Sequence, residues 1–294
     1  MTASLSILDP VQHPGPRVEP RIISVPTAGR SVWATLPAGQ RLLDALDALL
    51  DATGSSCAQV EILAGSLSEV AYCYPAIGAT EAQPIHYSPT QRADGPVTIV
   101  GGGATVGHRD GARFMHCHAG WFDVAGRLRG GHVLEDTWIG MTGLAVALHT
   151  LDGADQRSAI DPESRLPVFT PTAAEAGAPE GRRTSVIARV CPNENLFEAC
   201  ATVMREAGMT DARVAASIGS LVGAALHRES GVLLVDGPAT EVALNGRLGI
   251  GPDGDLAGEL SAIVIDRHGR VHVGNLTRDN IVAVTVELLV EEVR

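Results

Sequence analysis

The 294-residue chain says nearly the same thing twice. Gly219-Ser-Leu221 repeats Gly65-Ser-Leu67 at an offset of 154, and Gly237-Pro238 repeats Gly95-Pro96 at an offset of 142. Gly269-Arg-Val-His-Val-Gly274 repeats Gly126-Arg-Leu-Arg-Gly-Gly131 at an offset of 143. The drop from 154 to 142 leaves the first copy with a loop twelve residues longer. An internal duplication confines the fold to two copies of one unit, and the length allows each copy a core of its own.

Each copy opens with a strand and a helix. In the first, Arg30–Leu36 is a strand candidate, and Leu42, Leu43, Leu46, Leu49 and Leu50 then recur at helical spacing up to a stop at Gly54. In the second, strand candidate Ser185–Val190 precedes a helix over Asn193–Gly208. Strands are also expected at 60–67, at 96–100 and at 141–150. The segment 72–95, with Pro75, Pro84, Pro89 and Gly95, reads as irregular. The glycine run Gly101-Gly-Gly-Ala-Thr-Val-Gly107 lacks the Lys and Ser/Thr of a phosphate loop and reads as a bend or bulge in a sheet. The expected organisation is an N-terminal arm (1–21) rich in proline, a first domain (22–151), a linker by composition (152–183) and a second domain (184–294).

Chemistry concentrates in one stretch, Phe114 to His132. His116 and His118 are two residues apart, so on a strand they leave the same face. Asp123-Val-Ala-Gly126 reads as a turn. A hairpin about Ala125 sets His118 opposite His132, with Cβ atoms roughly 5 Å apart. Three imidazoles then converge, the donor set of a metal site. Carried to the second copy by the offset of 143, the three positions become Glu259, Ser261 and Asn275. Histidines kept for packing have no reason to vanish together; histidines kept for one metal do.

Charge and cysteine narrow the function. A net charge of −12 and the absence of an Arg-Gly-Arg-Pro hook argue against nucleic acid as a partner. Five cysteines without a CxxC suggest neither a disulfide framework nor a thiolate zinc ribbon. With no signal segment and no long apolar run, the reading is a cytoplasmic protein away from the membrane.

His116-Cys-His118, the turn, Gly126-Arg-Leu-Arg and Gly130-Gly-His-Val-Leu134 resemble the signature of the plants-and-prokaryotes-conserved (PPC) domain. Gly65-Ser-Leu-Ser-Glu-Val70 and Gly95-Pro96 resemble its earlier landmarks. The resemblance covers about 22–150 well and about 184–294 in degenerate form. It implies an α+β fold of two tandem domains, each a mostly antiparallel sheet with one main helix, and a trimeric or pseudo-symmetric homo-oligomer. It also implies a metal, zinc, on the three histidines. In plants the domain accompanies AT-hooks, whence the DNA-binding label of bacterial relatives. This chain departs from the family in being a tandem, in lacking the histidines in its second copy, and in its long 68–95 loop with Tyr72, Tyr74, His86 and Tyr87. The family's last-strand glutamate falls on Glu287 in the second copy, whereas the first has Gly143-Leu144.

Three nitrogens with an open fourth position are the ligand set of a catalytic zinc, which lowers the pKa of bound water to about 7. The expected metal ligands are His116, His118 and His132, for zinc or another divalent transition metal. Expected catalytic helpers are His108, Arg109, Glu135 and Asp136, with Asp110 and Arg113 nearby. Arg30 and Arg109 are candidates to clamp a carboxylate. The leading expectation is a metal-dependent hydrolase or lyase/isomerase acting on a small carboxylated metabolite. The alternatives are a regulatory or DNA-associated protein and a metal-stabilised oligomeric scaffold.

Overall fold

The computed structural model describes residues 8–80, 83–93, 95–175 and 184–293. The start of the arm and the end of the linker, 1–7 and 176–183, lie outside the described residues. In chain order the first half contains β1 (Ile22–Thr27), β2 (Ser31–Leu36), α1 (Leu42–Thr53), β3 (Ala58–Cys73), β4 (Pro75–Thr80), β5 (Gln83–Tyr87), β6 (Gln91–Ala93), β7 (Val97–Arg109), β8 (Ala112–Phe122), β9 (Leu128–Val133), β10 (Trp138–Thr150), β11 (Ala154–Ile160) and β12 (Pro167–Ala173). The second contains β13 (Ser185–Val190), α2 (Leu196–Glu206), β14 (Asp211–Leu221), β15 (Ala224–Arg228), β16 (Gly231–Val235), β17 (Thr240–Ile250), β18 (Leu256–Ile265), β19 (Val271–Asn275) and β20 (Val282–Glu292). Among the described residues each half is a largely antiparallel sheet with a single helix, the α+β tandem that the resemblance implied.

The helices form where leucine spacing and caps demand. Helix α1 buries Leu42, Leu43, Leu46 and Leu50 and ends at Gly54, whose φ of 78° is the left-handed cap that glycine takes without cost. Helix α2 starts at Asn195, whose side chain accepts from the Phe197 and Glu198 backbone N–H groups. Each helix packs into its own core, one around Leu46, Val60 and Trp121, the other around Phe197, Val214 and Leu288.

The sheets do not respect the sequence boundary. β1, assigned by sequence to the first domain, lies antiparallel to β13 at the edge of the second sheet. The described part of the segment expected as a linker is built into the fold: β11 and β12 pair with each other, and β11 joins β7. Its polar composition misleads because β12 is the edge strand and β11, next to it, meets β7 only at Arg157 and His108, so neither needs a run of apolar residues. The described part of the arm packs on its own chain, with Val11 buried and Arg21 bridging Glu163 and Glu194. The segment 72–95, expected to be irregular, holds the two-stranded hairpin β4–β5 and the short β6. Pro75 and Pro84 are tolerated because a two-stranded ribbon leaves outer N–H groups unneeded.

The glycine run is the expected bulge in a sheet and also a docking floor. It lies within β7, with one register shift between Ile99 and Gly101. A Cβ on Gly103 would sit 2.7 Å from Ile218 Cγ2, and one on Gly101 would sit 2.9 Å from Ile263 Cδ1. Only bare backbone there lets the second half seat directly on β7. Gly130 extends the floor, its N–H donating across to the Gly269 carbonyl at 3.1 Å. The two halves thus meet face to face along β7–β9.

Candidate metal centre

The hairpin pairs as the sequence reading places it, with His118 opposite His132 in the β8–β9 ladder. Across the junction stand two carboxylates of the second half, Glu241 on β17 and Glu287 on β20. His116, His118, His132 and Glu241 each offer a ligand atom, and these atoms lie within 4.8 Å of one another. His118 Nε2 is 2.9 Å from His116 Nε2, 3.3 Å from His132 Nδ1 and 2.5 Å from Glu241 Oε2. His118 is 0 % exposed and Glu241 3 %. His118 and Glu241 lie at the back of the group, while His116 and His132 are half-buried.

Hydrogen bonds on the far side of the rings decide what the near side presents. His116 Nδ1 donates to Glu287 Oε1 at 2.8 Å, and His118 Nδ1 donates to the Val242 carbonyl at 3.0 Å. A carbonyl has no proton to give, so His118 Nδ1 must carry one and its Nε2 turns a lone pair inward; His116 takes the same tautomer when its Nδ1 donates to Glu287. Two lone pairs facing one another at 2.9 Å beside a carboxylate ask for a shared cation. This donor chemistry fits a divalent metal. Thr105 and Gln59 extend the support, Thr105 donating to Glu287.

Electrostatics favour bare donors at His132 and Glu241, while at His116 they favour a proton that a metal would have to displace. Burial pushes His132 down, and the neighbouring His116 and His118 add to it, to about 3, so the ring is a neutral donor. Burial pulls Glu241 up, but His118 beside it overcomes this and holds the carboxyl down at about 2. Burial pulls His116 down, and Glu287 more than reverses that.

The cluster forms one end of a cavity of about 430 Å³. Its inner surface includes His116, His132 and Glu241, and its walls come from both halves and from β12. Arg109, Glu135 and Asp136, predicted as helpers, all line it. Arg109 lies over the Phe114 ring at 4.5 Å, while Asp136 pairs with Arg92 at 3.0 Å. His108 is not among the lining residues; Arg113 holds its Nε2 at 3.2 Å and Asp155 lies 3.6 Å from its Nδ1. Arg113 itself ties to Asp47 and Asp51 of α1. Arg30 sits away from the cavity, on the Thr53 carbonyl and Asp152. Asp110 is exposed beyond the end of β7.

Two contributors escaped sequence reading. Glu241 has no motif of its own and enters only through the docking of the halves. Tyr87, noted only as part of the long loop, lines the cavity beside Glu241 with its ring 5.1 Å from that of His132. The empty counterpart of the triad in the second half is a polar knot: Ser261 donates to Asn275, and Asn275 donates to Glu259, both at 2.7 Å.

Comparison with known proteins decides the family. The Plants and Prokaryotes Conserved (PCC) domain matches residues 23–150 and again 178–294. The chain belongs to the PCC family. No curated protein matches it. Among solved structures, a hypothetical protein from Salmonella cholerae-suis is 18 % identical with a TM-score of 0.40, over 50 % of this chain and 96 % of its own. A candidate DNA-binding protein from Ralstonia eutropha JMP134 is 20 % identical with a TM-score of 0.37, over 51 % and 96 %. A metal-containing protein from Archaeoglobus fulgidus is 17 % identical with a TM-score of 0.36, over 49 % and 94 %. Among the described residues no helix is long and apolar enough to cross a membrane.

The two PCC copies have diverged in complementary ways. Glu287 pairs with Ile218, and the matching pair in the first half is Ala145 with Ala64, so the ladder puts Ala145 at the Glu287 position rather than the expected Gly143-Leu144. The first copy keeps the histidines and has alanine where the second has its glutamate; the second keeps glutamates and has lost the histidines. Together they make a single composite centre.

Proposed function

We propose that this tandem PCC protein binds a divalent transition metal, zinc as the leading candidate, through His116, His118, His132 and Glu241, and uses it on a small carboxylated metabolite. The observation that carries the reading is the inward lone pairs of His116 and His118, set by Glu287 and Val242, beside an ionised Glu241. A metal there supplies Lewis acidity and an activated water, suited to hydrolysis or to lyase/isomerase chemistry.

Glu241 changes the argument for chemistry. The sequence left the fourth position open, and the structure offers a carboxylate for it, so ligand count alone no longer favours catalysis over scaffolding. The cavity does: a structural centre has no use for a chamber of about 430 Å³ with an arginine in its lining. Arg109 is suited to hold the substrate carboxylate, and Glu135 at the rim to move a proton.

One observation favours the scaffold reading as second choice. The donors come from both halves, so a metal would also fasten them. The acidic balance of −12 offers little to DNA, and homo-oligomerisation stays part of the proposal through family membership. Metal analysis of gently purified protein tests the reading; far less than one equivalent per chain overturns it. His118→Ala should abolish binding and Asn275→Ala should leave it intact. Loss of activity on chelation without loss of the assembly separates enzyme from scaffold.

A further inference from the structure

One face of the second half carries four polar side chains in a group, of which the metal centre uses two. Ser220 stands directly opposite Glu241 in the β14–β17 ladder, so their Cβ atoms are roughly 5 Å apart. Thr285 lies two residues before Glu287 on β20 and shares its face. Glu241 and Glu287 are taken by histidines. The hydroxyls are not. Thr285 is 4 % exposed, lines the cavity, and its Oγ1 has no hydrogen-bond partner. Ser220 Oγ also lines the cavity and accepts from the Val284 N–H, which leaves its own proton to give. A buried hydroxyl without a partner is unfavourable, so its place on a cavity wall points to a partner that arrives with the ligand.

The other anchor is Arg109. It is held flat on Phe114 at 4.5 Å. Phe114 precedes His116 by two residues on the same face of β8, a step of roughly 7 Å along the strand. An anion on Arg109 and an oxygen at the metal end are therefore separated by the length of a short carbon chain. Phe114, Val168 and Phe169 supply apolar wall.

We propose that Ser220 and Thr285 form a hydroxyl-recognising subsite, and that the ligand of the cavity is a short hydroxy-carboxylic acid with its carboxylate on Arg109. Oxygen substituents on the chain then face the second half, and the apolar edge faces Phe114 and Phe169. This deepens the reading above and rests on it for the metal-bound end of the ligand.

The test uses full-length, zinc-loaded protein and isothermal titration with succinate and with each enantiomer of malate, which differ from succinate by one hydroxyl. One malate enantiomer should bind about tenfold more tightly than succinate. In Thr285→Val and Ser220→Ala the two should fall within about twofold of each other, while Arg109→Met should weaken both acids together. Thr285→Val should keep or raise the melting temperature, because it removes an unsatisfied buried hydroxyl; a purely structural threonine would lose stability instead. Equal affinities in the parent, a preference that survives both hydroxyl variants, or no binding of any of the three acids overturns the subsite. Protein that loads with zinc and shows no preference sinks this inference alone, whereas protein that takes up no zinc sinks the metal reading.

Discussion

His118 Nε2 and Glu241 Oε2 lie 2.5 Å apart, fully buried, and belong to different copies of the duplicated unit. Neither copy alone can assemble the centre, so its properties should respond to changes on either side of the junction.

The first expectation concerns Glu287, which touches no candidate metal position but fixes the His116 tautomer. Glu287→Gln keeps the shape and removes the charge that holds Nδ1–H. Metal affinity should fall by about 10–100-fold, with Glu241→Ala costing more. Competition against a chromogenic chelator reads both, and an unchanged affinity in Glu287→Gln would show that Glu287 does not orient His116.

Much of this was legible beforehand, and what was not has physical reasons. The leucine spacing of α1, the cap glycines and the His118–His132 register are local, set by periodicities of 3.6 and 2. Glu241 was hidden because nothing local marks it: its role comes from Gly101 and Gly103 admitting Ile263 and Ile218. β11 and β12 were hidden because strands at the margin of a sheet tolerate polar residues, and β1 because a strand that pairs with the other copy looks like any other strand. His108 looked eligible by proximity alone, yet Arg113 and Asp155 keep it for structure.

The docking floor makes a stability prediction. Gly103→Val would put side-chain carbon within 2.7 Å of Ile218 Cγ2, where the second half is already seated. Overpacking of this kind costs about 1–3 kcal/mol. Thermal denaturation should show the loss, with weaker metal binding alongside, since the same movement carries Glu241 away. A Gly103→Val protein of parental melting temperature would mean that the halves do not seat as described.

Acid should loosen the segment between the copies through Asp161. Burial raises its carboxyl, but the Ser164 N–H and Arg189 outweigh burial and hold it below its usual value. A carboxyl depressed in the folded state contributes stability that is complete above its unfolded pKa of about 3.9. That contribution is lost as pH falls through the folded value. Urea midpoints of the parent should therefore drop below pH 4, and Asp161→Asn should flatten that slope. At neutral pH Asp161→Ala should cost about 3–5 kcal/mol, because Arg189, 2.6 Å away and buried, is left without its counter-charge. A neutral-pH cost within the range of a surface substitution would show that this ion pair does not hold the segment.

Metal removal gives the sharpest separation of the two readings. A ligand that binds only the folded chain stabilises it by about 2.7 kcal/mol at a hundredfold excess over Kd. Here the donors span both halves, so chelation should lower the melting temperature of the whole chain cooperatively. In a centre used for chemistry, Arg109→Met should leave that metal-dependent stabilisation intact while abolishing turnover or dicarboxylate binding, because Arg109 lies beyond the donor set. If Arg109→Met and chelation change stability alike, and no small acid binds in either state, the centre serves to fasten the copies together.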